Sequence, residues 1–173
     1  MTARRLLAAA VLALACAGRA ARAQQPVHVA PNAPADQPMA ATRACQWDAA
    51  RRAMAPYVAE ARASYPGARD RFRAGLPDRH SFFVTTRLRD ARGREEQVFV
   101  AVEGIVGDQI VGRIWSRIFV VEGYQLRQPY AFPERELVDW MVARPDGTEE
   151  GNVVGKFLDS YTPPARCAET VAG

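Results

Sequence analysis

The sequence predicts an α+β fold, in which an N-terminal helix or kinked helix pair covers a strongly bent antiparallel sheet, or half-open small barrel, of about five to six strands. Three observations predict it. Apolar residues recur with helical spacing through about residue 65 and with a period of two after Asp78. The strand-like segments follow one another through tight turns, too short for the crossovers that parallel neighbours need. Several strands are apolar on both faces, which suits a curved sheet better than a flat one with a wet face. Helices first and strands afterwards, without alternation, completes the pattern.

The helical segment opens with Trp47, Ala50, Met54, Tyr57, Val58, Ala61 and Tyr65, one face of a helix. Pro56 lies inside it and removes the bond to the Arg52 carbonyl, so either the helix kinks or two helices meet there. Pro66-Gly67 is expected to end the segment, and a short helix through Phe72 to stop at Gly75 and Pro77. Alternating Phe82, Val84, Thr86 and Leu88 then predict a first strand, and Asp90 to Gly93 a turn. A second strand is expected from Glu95 to Val106 and a third from Gln109 to about Val120, joined by Gly107-Asp108. A proline-broken stretch around Gln128-Pro129-Tyr130 reads as irregular. Leu137 to Ala143 reads as a strand, Pro145-Asp146-Gly147-Thr148 as a hairpin turn, and Asn152 to Leu158 as the last strand.

The 173 residues carry 23 Lys and Arg against 19 Asp and Glu. Arg4, Arg5, Arg19 and Arg22 stand within residues 1–23, which hold no acid, so beyond them 19 bases face 19 acids. That neutrality removes the electrostatic argument for nucleic acid as a partner. Residues 1–23 have a charged start, an apolar run from Leu6 to Ala17 and an Ala21-Arg22-Ala23 site. These are the parts of a secretory signal peptide, and the run is too short to span a bilayer. A periplasmic or secreted protein is expected, with no transmembrane segment after cleavage. The rival reading lipidates Cys16. Residues 24–41, rich in Pro and Ala and containing His28, read as a disordered tether, and 42–173 as one domain.

Cleavage leaves Cys45 and Cys167, which in an oxidising compartment have one possible pairing. The charge is also divided along the chain. Twelve bases and five acids lie between Arg43 and Arg94, but seven bases and 13 acids from Glu95 onward. Pairing between helix and sheet is the expected consequence.

Glu96-Gln97-Val98-Phe99-Val100, Gly112-Arg113-Ile114, Val138-Asp139-Trp140-Met141, and Asp146-Gly147 with Gly151-Asn152 occur in an informative order. In that order the chain resembles the YegJ-like bacterial family, domain of unknown function 2314, over about residues 53–160. The resemblance rests on Glu96, Phe99, Val100, Gly112, Asp139, Trp140, Gly147 and Gly151. The family often has Trp where this chain has Phe99. It brings no established activity, so what it implies is a fold.

Catalytic patterns are sparse. The chain lacks a Gly-x-Ser-x-Gly motif, a phosphate-binding glycine loop with Lys, and His-x-x-x-His spacing. His80 is the one histidine of the domain, with Ser81, Ser116 and Ser160 as conceivable companions. No metal site or cofactor is expected. Asp139 beside Trp140 could be a general acid whose proton affinity burial raises, or a carboxylate serving turn amides while the indole fills the core. Alternation points the two side chains to opposite faces. The leading expectation is a non-catalytic binding or protein-interaction domain for an unknown periplasmic protein or envelope component, its contact surface formed by exposed aromatics at Tyr124, Tyr130 and Phe132. The alternative is a small periplasmic hydrolase using Asp139 or Glu96, with His80 as partner. Convergence of those side chains in one pocket would favour the enzyme, and scatter the binder.

Overall fold

A computed structural model describes residues 44–164. The proposed signal peptide, the tether, Cys16 and Cys167 lie outside the described residues, as does the side chain of Cys45. The described chain is α+β, with two helices and six antiparallel strands in a bent sheet that does not close.

Helix α1 runs over Ala44–Ala74 with Pro56 and Pro66 inside it, so Pro56 does not divide it into two helices, and the expected end at Pro66-Gly67 and separate helix through Phe72 do not occur. Both prolines stand on the exposed side, as do Arg52 and Arg62, whose carbonyls lose a partner. Those carbonyls can turn to water, while the opposite face, with Ala50, Met54, Ala61, Tyr65 and Ala68, is buried along the whole helix. Burial of that face outweighs the roughly 3 kcal/mol cost of an interior proline.

The strands are β1 (Ser81–Arg89), β2 (Glu95–Val106), β3 (Gln109–Ile114), β4 (Pro129–Pro133), β5 (Asp139–Ala143) and β6 (Glu149–Gly151), and α2 spans Val153–Ser160. Their order in the sheet is β4-β3-β2-β1-β5-β6. Between β2 and β3 the register shifts at Val102 and Gly104, a bulge that bends the sheet. Gly112 sits opposite Val102, where an added Cβ would fall 2.1 Å from the Ala101 carbonyl oxygen. Only glycine fits there.

Three expectations are corrected. The third strand stops at Ile114 rather than Val120, and residues 115–128 form an excursion. The segment expected to be irregular contains β4, an edge strand that begins at Pro129 and ends at Pro133. Proline is tolerated on an edge because no neighbour needs its missing N–H. The expected last strand is helix α2. Asn152 adopts a left-handed φ of 56° that ends extended backbone, and Val153, Val154, Phe157, Leu158 and Tyr161 recur at helical spacing.

Both faces of the sheet are apolar, as the sequence predicts. Towards α1 stand Phe82, Val84, Leu88, Val98, Val100, Ile114 and Trp140, packed with Ala61, Tyr65 and Ala68. A second cluster joins Phe83, Ala101, Met141 and Ala143 to Phe99 and Trp115. A third ties α2 to α1 through Met54, Val138 and Val154, with Tyr57 stacked on Phe157 at 4.4 Å.

Helix bases meet later acids, as the divided charge predicts. Arg51 pairs with Glu95 at 2.7 Å, Arg69 with Glu134 at 3.3 Å and Arg71 with Glu150 at 2.5 Å. The most direct tie between helix and sheet is neutral. The Trp140 indole N–H donates to the Ala61 carbonyl (3.1 Å) and the Ser64 hydroxyl (3.0 Å). Replacing Trp140 by Ala should cost about 3–5 kcal/mol in chemical denaturation, the range for emptying a buried aromatic site.

Candidate functional site

The acids that could have carried chemistry hold backbone instead. Glu96 is 7 % exposed, and its carboxylate accepts the N–H groups of Phe119 (2.8 Å), Val120 (2.8 Å) and Val121 (3.1 Å). Three consecutive amides on one carboxylate fix the middle of the excursion after β3. Asp90 extends the clamp. It accepts the N–H of Glu122 at 3.2 Å, those of Arg92 and Arg94 within its own turn, and the Arg94 guanidinium at 2.7 Å. Burial alone would raise the Asp90 carboxyl. The Glu122 amide, the Arg94 guanidinium and the amides of Arg94 and Arg92 outweigh it and hold it at about 2.

Asp139 does the same for α2. Its carboxylate accepts the N–H of Val154 at 2.7 Å, with Gly155 at 3.4 Å, and on its other oxygen that of Trp140 at 2.8 Å. Burial pushes its carboxyl above the ordinary value, against the amides of Trp140, Val154, Gly155 and Val153. Gly155 belongs to the same arrangement, since a Cβ there would lie 2.1 Å from the Asn152 side-chain oxygen. Asp139 and Trp140 therefore serve different helices and share no pocket.

His80 lies far from both acids. Its Nδ1 is 3.1 Å from the Asp78 carbonyl, and it lines a cleft with Arg71, Leu76, Pro77, Arg144 and Glu150. Glu96 pairs with Leu88, eight residues further along the strand, or roughly 26 Å at about 3.3 Å per residue. Ser116 is buried and its hydroxyl accepts the Phe99 N–H at 2.8 Å. Asp139, Glu96 and His80 do not converge, and among the described residues no three His, Cys, Asp or Glu form a metal-ligating group.

The remaining motif residues also have positions that the fold explains. Phe99 joins the second cluster and Val100 is fully buried. Gly147 turns the β5–β6 hairpin at φ 86°, and Gly151, at φ 80°, would put a Cβ 2.4 Å from the Trp140 carbonyl oxygen.

The expected aromatic surface is only partly at the surface. Phe132 is buried, which corrects the expectation that it is exposed, and Tyr124 and Tyr130 are half-buried. The three rings form a ladder, Tyr124 edge-on to Tyr130 at 6.1 Å and Tyr130 stacked on Phe132 at 5.6 Å, and the Tyr124 hydroxyl donates to the Arg89 carbonyl. They close one end of the core. Among the described residues the large apolar side chains most exposed to solvent are Val106, at the end of β2, at 71 %, and three neighbours of the ladder in the excursion: Phe119 at 60 %, Leu126 at 45 % and Val120 at 41 %. Sequence reading missed the excursion residues because Phe119 and Val120 continue the apolar pattern of the third strand. What moves them outward is the capture of their amides by Glu96, a contact 23 residues away in sequence.

A second cleft, of about 280 Å³, lies between the start of α1 and the β1–β2 hairpin. Trp47 and Met54 line it from the helix, and Arg87, Arg89, Glu95 and Gln97 from the strands.

Glu96→Ala should release three amides and speed hydrogen exchange at Phe119, Val120 and Val121, with a stability loss of about 2–4 kcal/mol by denaturation. Exchange within β1 should stay slow. Comparison with family models, with curated proteins and with solved structures returns no match.

Proposed function

We propose that this chain is an exported, YegJ-like envelope domain that acts by binding a protein partner rather than by catalysis. The observation that carries the reading is the clamped excursion of residues 115–128. Phe119 and Val120 expose their side chains while a buried carboxylate holds their own backbone. A connection of this length without regular structure is costly to order and is commonly a functional segment. Here the ordering is built in, so a partner that covers Phe119, Val120 and Leu126 gains apolar burial with little further loss of freedom. The exposed Arg117 beside them suits an acidic rim on the partner.

The double variant Phe119→Ser/Val120→Ser should fold with an unchanged melting temperature, since neither side chain is in the core. It should lose a partner that the wild-type protein retains from envelope extract. Retention of the same partner by the variant would place the contact surface elsewhere.

The reading includes a bridge between Cys45 and Cys167. Cys45 lies in the first turn of α1, and the neighbouring Gln46 side chain donates to the Pro164 carbonyl at 3.2 Å. The chain thus returns to the start of the helix three residues before Cys167. A bridge closing so long a loop contributes up to about 5 kcal/mol. Thiol titration of the exported protein should find no free cysteine, and reduction should lower the melting temperature. Two titratable thiols would refute the bridge.

A further inference from the structure

We propose that the cleft at the N-terminal end of α1 binds a small organic carboxylate, with Arg87 and Gln97 receiving the carboxylate and Trp47 and Met54 its apolar body. The argument begins with the charges. Arg51 is paired with Asp48 and with one oxygen of Glu95, and Arg89 with the other oxygen of Glu95. Glu96 has spent its oxygens on the amides of residues 119–121. Arg87 is half-buried, and its side chain has neither an ion pair nor a hydrogen bond among the described residues. Burial lowers its proton affinity, Glu95 opposes this through its field alone, and Arg51 and Arg62 add to the lowering. A guanidinium nevertheless keeps its charge in a protein. It is therefore a partly desolvated cation whose fork of donors is unused.

The rest of the cleft supplies what such a cation lacks. Gln97 stands directly across from Arg87 in the β1–β2 register, so the two side chains share a face about 5 Å apart. A carboxylate seated there takes two parallel bonds from Arg87 and can take another from the Gln97 amide. Trp47 and Met54 form the wall against which a flat or aliphatic body packs. The volume of about 280 Å³ lies just below the usual range for ligand sites, which favours a small acid. Trp47 and Met54 on the helix side offer no partner to the further oxygens of a phosphate, so an organic monoanion is preferred to phosphate.

The test is a titration of the purified full chain with phenylacetate, followed by calorimetry and by the indole resonance of Trp47. Binding should saturate, and 2-phenylethanol, which lacks the charge, should bind at least about tenfold more weakly. Arg87→Gln should weaken phenylacetate by about tenfold or more, while Arg92→Gln, at an exposed residue outside the cleft, should leave it unchanged. Trp47→Ala is an independent check, lowering affinity for phenylacetate but not for acetate. An affinity untouched by Arg87→Gln, inorganic phosphate binding as tightly as phenylacetate, or no saturable response at about 10 mM would each overturn the proposal.

Discussion

Backbone that leaves a sheet must find partners for its N–H groups, and in this protein buried carboxylates provide them. Glu96 and Asp90 hold residues 119–122, and Asp139 holds the start of α2. A peptide N–H left dry and unpaired costs on the order of 1–3 kcal/mol. Several such groups gathered on one charged acceptor turn that liability into a clamp. The irregular parts of the molecule consequently have fixed shapes, although helix or strand geometry does not define them. The outward display of Phe119 and Val120 follows from that.

Helix α1 joins these clamps into one body. It is long enough to touch the first cluster through Tyr65 and Ala68 and the third through Met54. Between those contacts, Trp140 and the Arg62 guanidinium each bond to or from its length. Arg62 donates to the carbonyls of Leu137 and Arg135 at 2.8 and 3.1 Å, holding the turn that leads into β5. Arg51, Arg62, Arg69 and Arg71 of the first half thus serve the backbone and acids of the second. The charge asymmetry between the halves is thereby reconciled with the near balance of bases and acids beyond residue 23.

Much of the architecture was legible from periodicity. The change at Asp78, the paired apolar faces and the turns at Asp90 and Asp146 follow from rules that act over a few residues. The departures came where distant groups decide. Two prolines failed to break α1 because the buried face of the helix is set by the sheet beneath it. Val153 and Val154, β-branched and favourable in strands, entered a helix because Asp139 receives their amides and Asn152 turns the chain. Glu96 was recognisable as unusual, but its role depended on where residues 119–121 would lie. Arg87 carried no local signal, since its isolation is a property of the pairs around it.

The two open ends of the sheet have a consequence for how the molecule meets others. One edge, β4, starts and finishes with proline, and the other, β6, is three residues long. An incoming strand would find too few free amides on either side to extend the ladder. Recognition by shared main-chain pairing, the least selective kind, is thereby discouraged. Contacts are left to side chains, whose identity can be chosen one by one.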